Sequence, residues 1–226
     1  MTWTAVEFEN WRSTVTDLEK RKRAWEDLSS DQKKQVKELR TFIDFYRAAK
    51  LDVDPRTIQN REVPEPDIFC ELSQSGHYFE LGELTDQSIP ALEAEARRNG
   101  SDIYGGQASL SAPLEKMIYQ KCAKTYSLNG VPVSLLLHFS VPHQVPCHSF
   151  VRAYLAESRG RILAALNASP FREIWFFDCW TDKVLTVIDR DQPASASESC
   201  AALADVQASG TGQRVNGAYW HKGKKL

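Results

Sequence analysis

The sequence predicts one α/β domain, a mixed sheet flanked by helices, with a helical extension in front of it. Three observations carry this. Between about residues 64 and 188, short extended segments alternate with helical ones in the order strand, helix, strand, helix, strand, with a hairpin at each end. The run from Val133 to Phe139 is strongly apolar, as a central strand would be. With 226 residues, 42% hydrophobic and 26% charged, the chain can bury one ordinary core and carry extensions.

Residues 3–28 read as a first helix, with Trp3, Phe8, Trp11, Val15, Leu18 and Trp25 as apolar positions and the charge run Glu19-Lys20-Arg21-Lys22-Arg23 as a solvated face. Ser29 or Ser30 can cap a second helix ending near Lys50, in which Val36, Leu39, Phe42, Ile43 and Tyr46 form one stripe. Pro55, Pro64 and Pro66 disfavour helix in the next stretch, which becomes an extended approach to a strand. Residues 67–72 and 77–84 are two strands, with Gly76 marking the turn between them. A short helix at 91–98 and a glycine-bearing loop at 99–112 follow. Pro113 then suits the first position of a helix running to about Tyr126. Residues 131–140 form the central strand, Pro142 and Pro146 bracket a loop, and 150–167 form another helix. Residues 174–180 and 183–188 are the last two strands. The resulting division is a helical extension at 1–28, an α/β domain at 29–190 and a flexible tail at 191–226, whose small, polar composition cannot build a core.

The net charge of −2 offers no global signal for nucleic acid, although a local basic groove is compatible with it. The longest apolar run is too short to span a bilayer, and the first residues lack the apolar core of a signal peptide. Cys70, Cys122, Cys147, Cys179 and Cys200 are odd in number and contain no CxxC pair, which fits free thiols in a reducing cytoplasm. A cytoplasmic location is therefore expected.

The informative constellation is Pro66-Asp67 followed by Glu80. Asp67 opens one strand and Glu80 lies in the middle of the next. Neighbouring strands are under about 5 Å apart, so two carboxylates pointing the same way can share one hard cation. Mg²⁺ takes one or two carboxylates together with waters and phosphate oxygens. A bound ion of this kind activates water and stabilises charge on a phosphodiester. The helix at 113–126 points to a third group. Leu114, Met117, Ile118, Cys122 and Thr125 share one face, and Lys121 falls in its centre. A buried ammonium is costly without an acid, and Asp67 and Glu80 are the obvious acids. Lys124 lies at the edge of the stripe and Lys116 opposite it.

The segments PEPDIFCELSQSGHYFELGELTD, LEKMIYQKCAKTYSLNGVPVSLLLHF and SPFREIWFFDCWTDKVLTVI resemble the opening, the following helix and strand, and the last strands of the PD-(D/E)XK, or restriction-endonuclease-like, nuclease superfamily. The resemblance spans about residues 38–188. It implies a mixed sheet flanked by helices and Mg²⁺- or Mn²⁺-dependent cleavage of nucleic acid, DNA ahead of RNA. In this reading Asp67 and Glu80 are metal ligands, and Asp67, Glu80 and Lys121 are the catalytic residues. The family's acid-any-lysine motif is broken, because Gly82 stands where its lysine would. The frame Glu83-Leu84-Thr85 also lacks lysine. Some relatives place the lysine on the following helix, which Lys121 matches. Glu38, at the rim of its stripe, is the best-placed acid for the family's first helical motif. Glu83, on the other face of its strand from Glu80, is a weaker ligand.

Other clusters read more plainly. His138, His143, Cys147 and His148 match no closed zinc spacing, and prolines between them favour an exposed loop. Gly105-Gly106 lacks the context of a phosphate loop. Cys147 and His148 are adjacent and unsuited to act as a dyad. Trp175, Phe176, Phe177 and Trp180 alternate across a strand as core packing, with one exposed ring available for stacking. Three functions follow: a metal-dependent nuclease; an inactive binding or assembly module of the same fold, acting through a dimer or partner surface on the Trp-rich first helix; and an unrelated enzyme using His143 or Cys147.

Overall fold

The computed structural model describes residues 3–14, 25–84, 111–139 and 148–191. Their elements, in chain order, are α1 (Ala5–Thr14), α2 (Ser30–Ala48), a 3₁₀ turn (Pro55–Thr57), β1 (Gln59–Asn60), β2 (Ile68–Leu72), β3 (Ser75–Glu83), α3 (Ser111–Cys122), β4 (Val133–Phe139), α4 (His148–Asn167), β5 (Phe171–Asp178) and β6 (Lys183–Asp189). The expected helix at 91–98, the loops at 99–110 and 142–146, the tail from 192, and the whole charge run of the first helix lie outside the described residues.

The six strands form one mixed sheet in the order β1-β2-β3-β4-β5-β6. β1, β2 and β3 pair antiparallel, β3, β4 and β5 pair parallel, and β6 returns antiparallel to β5. The two parallel steps require long crossovers, which carry α3 and α4. Both helices pack on one face, where Leu114, Ile118, Leu155, Ile162 and Leu166 meet Leu135, Leu137, Ile174 and Phe176. On the other face, α1 and α2 bring Phe8, Leu39, Phe42 and Phe45 against Phe79, Leu81, Leu136 and Phe177. With helices on both sides, β4 is buried at every position, which accounts for its unbroken apolar run.

α2 begins where its sequence signal places it. Ser29 is the N-cap, and its hydroxyl accepts from Gln32 N while the Gln32 side chain accepts from Ser29 N, a reciprocal capping box. Its stripe of Val36, Leu39, Phe42, Ile43 and Tyr46 is buried as expected, with Phe45 added. α1 is stitched to the sheet: Ala5 N donates to Ile58 O, and Asn60 N donates to Trp3 O. Ala5 and Phe8 share the core of α2.

Several boundaries differ from the sequence reading: α4 begins at His148 rather than 150 and β5 at Phe171 rather than 174, and two further differences are more informative. The β2–β3 turn is Ser73-Gln74, both at positive φ (49° and 65°), and Gly76 lies within β3. That left-handed pair matches the twist of a two-residue hairpin. Gly76 answers a packing need instead, since a Cβ there would come within 3.2 Å of the Phe69 ring. α3 starts two residues before Pro113 and ends at Cys122 rather than near Tyr126. Its end is a turn in which Lys124 N donates to Lys121 O. No described helix is long and apolar enough to cross a membrane.

Candidate functional site

Side chains alternate along β3, so Glu80 shares the α3-facing side with Tyr78 and Gly82. Ile68 pairs with Phe79 in the β2–β3 ladder. One further step in that register sets Asp67 opposite Glu80, at the start of β2. Cross-strand partners of this kind have Cα atoms about 4.5–5.5 Å apart. The Asp67 carboxylate Oδ2 accepts from Leu81 N at 2.9 Å, which ties it to the residue beside Glu80.

Glu80 is buried, its side chain only 3% exposed, and two ammonium groups meet its Oε1. Lys121 Nζ lies at 2.5 Å and Lys124 Nζ at 2.9 Å. Lys121 also donates to the carbonyl of Leu81. The lysine in the middle of an apolar helix stripe thus has the acid partner its burial demands. Burial alone would push the Glu80 carboxyl up. The charges and hydrogen bonds of Lys121 and Lys124 outweigh it and hold Glu80 below the ordinary carboxylate value. Tyr126, packed on the Phe171 ring, lies beside this group. Burial and the Glu80 charge push its phenol far up.

Asp67 has the opposite balance. Burial and the charge of Glu80 raise its carboxyl, against the pull of Lys121, the Leu81 N–H and Lys34. Glu38 reaches the same cluster from α2. Burial and the charge of Asp67 raise it to about 7, against the pull of Lys34 and Lys121. Asn60 Nδ2 donates to Glu38 Oε2 at 3.4 Å. Lys34 Nζ stands 3.3 Å from Glu38 Oε1 and 3.9 Å from Asp67 Oδ1, joining the two acids.

The structure therefore brings Asp67, Glu80 and Lys121 together, with Glu38 at their margin. Lys124, which sequence reasoning set behind Lys121, meets the same Glu80 oxygen. Lys34, Asn60 and Tyr126 were not anticipated. Lys116 is exposed. Gly82 cannot hold the missing motif lysine easily, since a Cβ there would come within 2.7 Å of Leu137 Cδ2 and 3.4 Å of Met117 Sδ.

His138 is buried on β4 with Cys179 Sγ 3.7 Å from its Nδ1. Burial lowers the imidazole to about 4, and burial raises the Cys179 thiol to about 12. A neutral imidazole beside a protonated thiol is packing, not an activated nucleophile. His143 and Cys147 lie outside the described residues, as does the side chain of His148. Cys70, Cys122 and Cys179 are free thiols. Among the described residues no three His, Cys, Asp or Glu side chains form a metal-binding group. Phe176 packs into the α3 face and Phe177 into the α2 face with Trp175 against it, whereas Trp180 is 66% exposed.

No family model, curated protein or solved structure matches the chain.

Proposed function

We propose that the protein is a metal-dependent nuclease of the restriction-endonuclease-like type, hydrolysing phosphodiester bonds in DNA or RNA. The observation that supports this is the convergence of Asp67, Glu80 and Lys121 from β2, β3 and α3, with Glu38 of α2 beside them. Glu38, Asp67, Glu80 and Lys121 follow one another in the helix, strand, strand, helix order that the sequence resemblance implies, with Glu38 at the margin of the group.

Asp67 and Glu80 would hold Mg²⁺ or Mn²⁺. The donor set fits a hard cation, because Asp67 is raised by burial and by a neighbouring carboxylate, a repulsion that positive charge relieves. Two carboxylates without a third ligand suit Mg²⁺, which fills its remaining positions with water and phosphate oxygens. When bound, the ion would supply Lewis acidity and a more acidic water. The chain's own part is positioning. The Leu81 N–H orients Asp67, and Lys121 holds Glu80 ionised despite its burial.

Glu80→Gln and Asp67→Asn are expected to abolish cleavage of plasmid DNA or RNA in Mg²⁺ or Mn²⁺ while leaving the circular-dichroism spectrum unchanged. A wild-type protein that neither cuts any nucleic acid nor binds Mn²⁺ by calorimetry refutes the reading. The rival is a fold of this type that has lost its chemistry, favoured by one observation: two lysines already neutralise Glu80 without any cation. It expects no Mn²⁺ binding, and a homodimer by light scattering.

A further inference from the structure

The site contains two lysines, and their surroundings give them different capacities. Lys121 is mostly buried, its side chain 15% exposed, and two protein acceptors hold it, Glu80 Oε1 and Leu81 O. Withdrawing it removes a donor from a buried carboxylate and from a strand carbonyl together, which is costly. Lys124 is half exposed at 51% and makes one of these contacts, to Glu80 Oε1. If it leaves, Lys121 still neutralises Glu80. Lys124 stands on the turn after the last residue of α3, so no helical ladder confines its backbone. Its ammonium lies 5.9 Å from the centre of the Tyr126 ring. That ring packs on buried Phe171.

We propose that Lys124 is the side chain that meets the substrate, exchanging Glu80 for a phosphate oxygen of the nucleic-acid backbone, while Lys121 remains as the positioning residue for Glu80. This rests on the nuclease reading above and divides between two lysines what a single motif lysine would do. An exposed, singly held ammonium can be given up to an incoming anion at little expense. A buried, doubly held one cannot.

The test is binding of a short fluorescein-labelled DNA duplex, its single strand and an RNA copy to the full chain. Anisotropy is followed across a KCl series, in EDTA and in Ca²⁺. Loss of one phosphate contact lowers the slope of log K against log salt by about 0.9 for a duplex. Lys124→Gln is expected to show that loss and to weaken binding about tenfold, the scale of one charge-assisted hydrogen bond. Its unfolding transition should not move, and Lys124→Arg should restore the slope. Lys121→Met, which leaves Glu80 to Lys124, is expected to lower the unfolding temperature, as removal of a positioning residue should. Lys124→Gln with wild-type affinity and slope, or a slope lost in Lys124→Gln that Lys124→Arg does not restore, overturns the assignment. A wild-type chain that binds none of the three probes under either condition shows instead that the nuclease reading itself is wrong.

Discussion

Replacing Lys121 with methionine tests whether the Glu80 cluster has the energetics its geometry implies. Methionine keeps the length and apolar body of the side chain and removes only the ammonium. Glu80, 3% exposed, then faces Lys124 alone. Deleting one partner of a buried ion pair costs about 3–5 kcal/mol when nothing replaces it. Lys124 does replace part of it, so the expected loss is about 2–3 kcal/mol at neutral pH. For a chain of this size that is a fall of about 5–10 °C in Tm. Urea unfolding followed by tryptophan fluorescence, and scanning calorimetry, measure both. The loss has a pH signature. In the wild type the Glu80 pKa is depressed, so its contribution is present above the unfolded carboxylate value of 4.5 and fades as pH falls through the folded value. In the variant the acid can protonate and needs no partner, so the gap between the two proteins should close toward pH 4. A variant within about 0.5 kcal/mol of wild type at pH 7, the scatter of an ordinary surface change, refutes the buried pair. So does a loss that persists unchanged in acid.

Two further outcomes follow from the same region. Glu38 is raised from 4.5 to about 7, so the folded chain binds a proton that the unfolded chain has released between those values. The Glu38 contribution to metal-free stability should therefore be full below pH 4.5 and fall by on the order of 3 kcal/mol as pH rises through 7. Glu38→Gln should flatten that decline in urea titrations run in EDTA, and an unchanged decline would falsify the assignment. Gly82→Ala should cost about 1–3 kcal/mol by overpacking against Leu137 and Met117. A neutral or stabilising alanine in chemical unfolding would mean that the α3–β4 contact gives way.

Much of this architecture was legible because its elements are strongly periodic. The α2 stripe, the apolar β4 and the capping box at Ser29 are local signals, and each appears as read. The charged trio was legible for one reason: Lys121 interrupts an apolar stripe, and an ammonium in that position demands an acid. Lys124 was harder to rank because the helix stops at Cys122, and a helical wheel extended to Tyr126 assigns it a face it does not have. Lys34 meets Asp67 only through the packing of α2 on the sheet, and no sequence spacing encodes that. Ser73-Gln74 contains neither glycine nor asparagine, so its left-handed turn had no local marker. The nearby glycine drew the turn to the wrong place.

A side chain at position 82 would compete for space with α3, the helix that carries Lys121 to Glu80. At that position on β3 the side chain would project between Leu137 of β4 and Met117 of α3, where even a Cβ comes within 2.7 Å of a carbon. The tight seat of α3 on the sheet and a lysine at position 82 are therefore competing uses of the same space. Once the strand gives up its side chain there, α3 settles close enough for Lys121, one turn beyond Met117, to deliver an ammonium to Glu80. The ammonium beside Glu80 thus comes from α3, whose close packing leaves no room for a long side chain at position 82. On this argument, Gly82→Lys in the Lys121→Met background should fail to rebuild the cluster. The added side chain would lift α3 away from β3 and carry Lys124 with it. Recovery of wild-type stability and of a depressed Glu80 titration in that double variant, read by carboxyl NMR, would show that the space is available after all.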